Sequence, residues 1–137
     1  DYSQKELFQK LQRRRSPIKS ALLDQRLFAG VGNIYADEAL FRSRLHPLTP
    51  ANDLSEEDCF RLTCAVQEVL EEGIQNHGTT FRNYVDGKGE SGGFQNKLAV
   101  YGRRTEDCPT CGTPIQRIVV GGRGSFFCPN CQGREGR

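Results

Sequence analysis

Four cysteines near the C-terminal end carry the clearest chemistry in the sequence. They form two Cys-Pro-x-Cys pairs with sixteen residues between them: Cys108, Cys111, Cys128 and Cys131. A structural zinc ion takes a closed tetrahedron of four ligands, and two such pairs on a hairpin supply it. The spacing therefore predicts one structural Zn²⁺, with no coordination position left for catalysis. Two disulfides, or thiols that never meet, are the less favoured alternatives, and reduced cysteines indicate the cytoplasm.

The segment between the two pairs has the composition of a β-hairpin. Residues 115–120 are rich in β-branched side chains, and the turn signal GGRG at 121–124 precedes a second short apolar run at 125–127. Arg123 is therefore predicted at the hairpin tip, where a guanidinium can bridge phosphate oxygens or simply face solvent. So short a segment has little apolar core, and zinc must supply most of its folding free energy.

The charge is distributed unevenly along a chain whose net charge is only +2. Residues 1–26 carry +4, residues 27–81 carry −6 and residues 82–137 carry +4. If the two basic ends meet in the fold, they form one positive face, which suits a nucleic-acid backbone; an ordinary mixed surface is the alternative. No apolar run approaches the roughly 18 residues of a membrane span, so no membrane partner is expected.

Capping signals predict the helices that must position these residues. Ser3 and Glu6 form a capping box for a first helix, and Ser16 before Pro17 predicts the N-cap of a second. A further box, Ser55-x-x-Asp58, opens a long amphipathic helix to about residue 76. The apolar stripe of that helix begins at Phe60 or Leu62. Cys59 and Cys64 lie on different faces of it, as buried thiols rather than a disulfide.

A tight turn, Gly30-Val31-Gly32-Asn33, leads directly into another helix, with Asn33 predicted as its N-cap. Glycines allow a ligand close to the backbone, and a helix N-terminus attracts anions, so the turn is a candidate phosphate site. A plain connecting turn is the alternative. Residues 78–93 have no apolar periodicity and are predicted to form a long functional loop.

Several stretches resemble a known family. GVGNIYADEALF at 30–41, preceded by IKSALLDQ at 18–25 and followed by HP at 46–47, is similar to the helix-two-turn-helix signature of bacterial formamidopyrimidine-DNA glycosylases. The similarity continues through GTT at 78–80, VYGR at 100–103 and GRGSFFCPNCQ at 122–132. It implies a mainly α fold, with a helix-two-turn-helix helical domain followed by a small β-hairpin zinc ribbon.

The resemblance also implies a function. Members of the family remove oxidised purines, such as 8-oxoguanine and formamidopyrimidines, from damaged double-stranded DNA by flipping the base out of the duplex. Asn33 and Arg123 match residues that grip the phosphates beside the lesion, and Tyr101 matches a further backbone contact. The remaining residues that it assigns to DNA binding or to the lesion-capping loop are Lys19, Gly32, Arg82, Thr79, Thr80 and Tyr84.

The family's catalytic nucleophile is the amine of an N-terminal proline on a separate β-rich domain. This chain begins Asp1-Tyr2 and contains nothing similar to that domain. The resemblance therefore implies the DNA-binding half of a glycosylase and AP lyase, inactive alone, with no catalytic residue of its own.

The expected organisation is a helical domain at 1–78, a loop and linker at 79–102 and the zinc hairpin at 103–137. A monomer in the bacterial cytoplasm, associated with the nucleoid, or in an organelle is expected. Two other readings stay open: a free-standing zinc-ribbon module that binds nucleic acid without enzymatic activity, and a zinc ribbon that binds protein.

Overall fold

A computed structural model describes residues 4–75 and 98–133. The described part is mainly helical and ends in one two-stranded antiparallel sheet, which confirms the predicted fold class. The elements are α1 Gln4–Gln12, α2 Ile18–Leu22, α3 Asn33–Ser43, a 3₁₀ turn Ala51–Asp53, α4 Glu56–Gln75, β1 Gln116–Val120 and β2 Arg123–Phe127. None of the helices in these two ranges is both long and apolar enough to cross a membrane.

The helices enclose one hydrophobic core. The apolar side of α4 packs against α3 and α1, and α2 closes the side that faces the hairpin. The sequence left Phe60 and Leu62 as alternatives for the stripe of α4; Leu62 is fully buried, whereas Phe60 is 55% exposed. Cys59 is buried and Cys64 half-buried, and both are free thiols, as predicted.

The capping box predicted for α4 is confirmed. The Asp58 backbone N–H donates to Ser55 Oγ at 3.0 Å, and the Ser55 N–H donates to Asp58 Oδ2 at 3.2 Å. These reciprocal bonds satisfy donors that the first turn of a helix cannot satisfy internally.

The predicted cap of α2 is wrong. Pro17, not Ser16, is the residue before the helix, and no side chain caps it. The reason is tertiary: the backbone at 16–18 pairs with the segment at 49–51, where Ile18 N–H donates to Thr49 O and Ala51 N–H donates to Ser16 O. The extended backbone moves Ser16 one position too far from the helix to reach its N–H groups, and its hydroxyl is buried.

The zinc hairpin has a two-residue turn. Gly121 and Gly122 both have positive φ, +58° and +81°, as a tight turn matched to the twist of the strands requires. Val120 pairs with Arg123, and Gln116 pairs with Phe127. Arg123 is therefore the first residue of β2, directly beside the turn rather than within it.

The hairpin packs on the helical domain through β2 and α3. A small second core lies beneath it, formed by Val100, Cys108, Ile115 and Cys128. Gln132 is fully buried between the two parts: its Nε2 donates to Leu45 O at 3.0 Å, and its Oε1 accepts the N–H of Cys128 at 2.8 Å. The position of the hairpin is thus fixed by specific polar bonds as well as by apolar packing.

Candidate nucleic-acid interface and metal centre

The four predicted zinc ligands converge. All four Sγ atoms lie within 4.8 Å of one another. The Sγ atoms of Cys111 and Cys128 are 3.5 Å apart, and those of Cys108 and Cys131 are 3.9 Å apart. A tetrahedron with Zn–S bonds of about 2.3 Å has edges of about 3.8 Å, and a disulfide needs about 2.05 Å. The cysteines therefore fit one structural zinc ion, as predicted, and do not form disulfides.

Backbone donors support the same reading of the cysteine cluster. The Thr110 N–H donates to Cys108 Sγ, and the Cys131 N–H donates to Cys128 Sγ, each at 3.3 Å. Each Cys-Pro-x-Cys turn thus directs an amide at the sulfur of its own first cysteine. Such bonds orient metal-bound thiolates and stabilise their charge.

The Gly30-Val31-Gly32-Asn33 turn is held from beneath by one side chain. Gln25 Nε2 donates to Val31 O at 2.9 Å, and Gln25 Oε1 accepts the Gly30 N–H at 2.8 Å. Val31 is buried, whereas Gly32 is exposed, and a Cβ placed on Gly32 would meet no atom within 4 Å. The turn therefore presents open backbone at the start of α3.

Asn33 does not cap α3, contrary to prediction. It is the first helical residue, Gly32 is the N-cap, and no side chain caps the helix. The Asn33 amide instead donates from Nδ2 to Gly124 O at 3.1 Å, across to the hairpin. The first N–H groups of α3 consequently stay available to an anion, which the partial positive charge of a helix N-terminus attracts.

Arg123 lies beside this contact. Its side chain is exposed, and its guanidinium makes no hydrogen bond or ion pair with a residue in the described ranges. Because Gly124 is its chain neighbour, the bond from Asn33 to Gly124 joins the two predicted phosphate ligands through one residue. The amide of Asn33, at the uncapped end of α3, thus contacts the hairpin next to an arginine that pairs with no described residue.

Lys19 has a different place from the one predicted. Its side chain is fully buried, so no DNA phosphate can reach its amine, and its assignment as a DNA contact is wrong. Lys19 Nζ donates to Asp37 Oδ1 at 2.7 Å, to Ser125 Oγ at 2.6 Å and to Gly124 O at 3.3 Å. The lysine therefore joins α2 to α3 and both helices to β2.

Asp37 completes this buried pair. Its Oδ2 accepts the Phe126 N–H at 2.9 Å, so the carboxylate also binds the hairpin backbone. Burial raises the pKa of Asp37 to about 6, although the charge and hydrogen bond of Lys19 act to lower it. Burial likewise lowers the pKa of Lys19, with Arg123 adding repulsion. The two opposite charges are tolerated at this buried interface because each side chain makes more than one hydrogen bond.

Glu38 fixes the segment that carries Tyr101. Its buried carboxylate accepts three successive backbone N–H groups, from Ala99 at 2.8 Å and from Val100 and Tyr101 at 2.9 Å each. Burial raises its pKa, and the three backbone bonds oppose the rise. The Tyr101 ring then packs edge-to-face on Phe126 at 5.1 Å. Tyr101 is therefore anchored next to the same strand as Arg123.

Sequence reasoning assigned no role to Asp37, Glu38 or Gln132. The one signal in the sequence was two acidic residues inside an otherwise apolar part of α3, between Ala36 and Ala39. Buried acids in such positions need partners, and here the partners come from the hairpin and its linker. The predicted loop residues Thr79, Thr80, Arg82 and Tyr84 lie outside the described residues.

The helical unit and the four-cysteine hairpin define a helix-two-turn-helix protein with a structural zinc finger. The family description "Formamidopyrimidine-DNA glycosylase H2TH domain" matches residues 1–85, and "Zinc finger found in FPG and IleRS" matches residues 106–133. The chain belongs to the formamidopyrimidine-DNA glycosylase family, as the resemblance predicted.

Individual relatives agree with this assignment. The formamidopyrimidine-DNA glycosylase of Desulforamulus reducens is 52% identical over 131 residues, which are 96% of this chain and 47% of that protein. The crystal structure of MutM (Fpg) from Thermus thermophilus matches with a TM-score of 0.84 and 49% identity, over 96% of this chain and 50% of that one. A complex of Lactococcus lactis Fpg with abasic-site DNA matches with a TM-score of 0.87 and 40% identity, over 98% and 48%. The chain spans about half the length of these relatives.

Proposed function

We propose that this chain is the damaged-DNA-binding half of a base-excision-repair glycosylase and AP lyase that acts on oxidised purines. One observation carries the proposal: Asn33, at the uncapped start of α3, bonds to Gly124 of the zinc hairpin, the chain neighbour of the exposed Arg123. Neutral and charged N–H donors on neighbouring residues suit a phosphodiester, and phosphate contacts position a protein without reading sequence. Base flipping needs that kind of grip, because the kinked backbone must be held while the base is extruded.

Zinc has a supporting role in this proposal. The metal fixes the hairpin, and the hairpin holds Arg123 at a set distance from Asn33 through Gly124. When bound, the ion supplies structure and no chemistry, because all four ligand positions are cysteines. Tyr101, held by Glu38, provides a further backbone contact, and residues 79–84 are proposed to close over the flipped base.

The full-length parent is proposed to be the enzyme. No described residue is assigned the role of nucleophile. Borohydride trapping with an abasic-site duplex is expected to give no covalent adduct with this chain. An adduct at the level of a full-length glycosylase would show that a nucleophile lies within it.

Binding itself is tested by fluorescence anisotropy with a short duplex that carries an abasic-site analogue. Asn33→Ala and Arg123→Ala should each weaken binding, and Arg123→Ala should reduce the slope of log K against log salt by about 1. Arg61→Ala is the matched control, because Arg61 pairs with Asp58 on α4. Unchanged binding in both test variants would refute the phosphate grip.

Comparison of damaged with undamaged duplex then separates the readings left open by the sequence. A preference for the abasic-site duplex is expected from the glycosylase half. Equal, salt-dependent binding to both would instead support a free-standing nucleic-acid module, and an absence of salt-dependent binding would support a protein-binding ribbon.

A further inference from the structure

A groove lies between α2 and the turn of the hairpin, and Arg123 is one of its lining residues. Its volume is about 350 Å³, within the range of small-ligand sites. We call it the α2–hairpin groove. It is lined by Arg14, Ser20, Leu23, Asp24, Val120, Gly121 and Arg123.

The groove is rich in hydrogen-bond donors without partners. The Arg14 guanidinium gives one hydrogen bond, from Nη1 to Asp24 Oδ2 at 2.7 Å, and its other guanidinium N–H groups have no partner in the described ranges. The Ser20 hydroxyl and the Arg123 guanidinium also make no hydrogen bond to a described residue. A guanidinium has five donors in a fixed fork, so Arg14 can bind an anion without releasing Asp24.

The single acid in the groove does not cancel this positive charge. Asp24 Oδ1 accepts from the backbone N–H and Nε of Arg26, and Oδ2 accepts from Arg14 and from Arg26 Nη2. Two arginines thus face one carboxylate, and Arg123 adds a further positive charge. The ion pair with Asp24 therefore positions the Arg14 side chain at the groove.

We propose that the α2–hairpin groove binds a second phosphodiester of the DNA backbone, next to the one held by Asn33 and Arg123. The inference rests on the proposed function and extends it. Arg123 is common to the two sites: its chain neighbour Gly124 accepts from Asn33, and Arg123 itself lines the groove. One strand of B-DNA presents a phosphate every ~3.4 Å along its axis, so a bound backbone runs from one site towards the next.

Salt dependence tests the second site. Each phosphate neutralised contributes about 0.9 to the slope of log K against log salt, so Arg14→Ala should reduce the slope by about 0.9. Arg13→Ala is the matched control, since Arg13 is exposed on the preceding turn, lies outside the groove and carries the same charge. Equal slopes for wild type and Arg14→Ala, or equal losses in both variants, would overturn the proposal.

A second variant avoids the Arg14–Asp24 pair. Ser20→Asp places a carboxylate in the groove, and it should weaken binding while thermal unfolding shows that the fold is kept. Gln67→Asp adds the same charge at an exposed position of α4 and should weaken binding less. Equal losses from Ser20→Asp and Gln67→Asp would show general repulsion rather than a site, and would overturn the proposal.

Single methylphosphonate substitutions along the duplex locate the contact. One position should weaken binding of the wild type but leave Arg14→Ala unaffected, since that contact is already lost. If every position affects both proteins equally, the groove does not hold a phosphate. If Asn33→Ala and Arg123→Ala weaken binding but Arg14→Ala does not, the groove inference fails while the proposed function stands. If the wild-type chain does not bind DNA at all, both are refuted.

Discussion

Replacing Lys19 by methionine should destabilise the fold strongly, because it leaves Asp37 buried without its counter-charge. Lys19 is 0% exposed and Asp37 is 1% exposed, and the amine and carboxylate are 2.7 Å apart. Removing one partner of such a pair costs about 3–5 kcal/mol. Since domains have unfolding free energies of about 5–15 kcal/mol, the loss is a large fraction of the total. Urea unfolding in the presence of excess zinc, monitored by far-UV circular dichroism, measures the loss of unfolding free energy.

The cost should depend on pH in a definite direction. The pKa of Asp37 is already raised to about 6 by burial, and removal of the Lys19 charge raises it further. The carboxyl of Asp37 has a higher pKa in the folded protein than its unfolded value of 3.8. Its contribution to stability is therefore fully present below pH 3.8 and is lost as the pH rises through the folded pKa, because the buried group must then ionise. Lys19→Met should therefore lose more stability relative to wild type at pH 8 than at pH 5.

A double variant provides the control for this prediction. In Lys19→Met with Asp37→Leu neither charge of the pair remains, so no unpaired charge is left at this position and most of the lost stability should return. The Phe126 N–H then lacks its acceptor, which leaves a deficit of about 1–3 kcal/mol. The reasoning is refuted if Lys19→Met alone costs less than about 1 kcal/mol, or if the double variant is less stable than Lys19→Met.

Three further predictions concern other parts of the fold. A chelator should unfold the hairpin first, because zinc supplies about 10–16 kcal/mol to such segments; hydrogen exchange should show loss of protection at 116–127 while the helices stay protected, and retained protection would contradict a metal-dependent hairpin. Glu38→Gln should cost about 1–3 kcal/mol in urea unfolding, because one amide group cannot accept all three N–H donors, whereas Glu68→Gln on exposed α4 should cost less than about 0.5 kcal/mol. Ser55→Ala should lower the unfolding free energy by about 0.5–2 kcal/mol through loss of the α4 cap, and a thermal midpoint equal to that of wild type would show that the cap contributes nothing.

The predictions that succeeded rest on information local in the sequence. The cap at Ser55 and Asp58 involves residues three apart, and the zinc ligands come in two pairs with a hairpin between them. The two glycines at 121 and 122 adopt the positive φ that the turn requires. In each case the physical constraint acts over a few residues, so residue type and spacing are enough to state it.

The predictions that failed concern residues whose partners are distant in the sequence. Ser16 and Asn33 have the side chains of N-caps, but backbone pairing of 16–18 with 49–51 and the bond from Asn33 Nδ2 to Gly124 O place these side chains elsewhere. The capping oxygens, Ser16 Oγ and Asn33 Oδ1, are buried without a hydrogen-bond partner in the described ranges. Lys19, in a basic stretch, reads as a surface cation. The structure instead buries it against Ser125, which is 106 residues away.

The sequence by itself determined the zinc site, the main helices, the hairpin and the family. Only the tertiary structure decided which charged residues face solvent and which join the two parts of the fold. Lysine and arginine contribute equally to the net charge of a sequence, yet Lys19 is buried and Arg123 is exposed. The physical reason is that a buried charge is tolerated only where several partners converge on it, and those partners meet only when α2, α3 and the hairpin pack together.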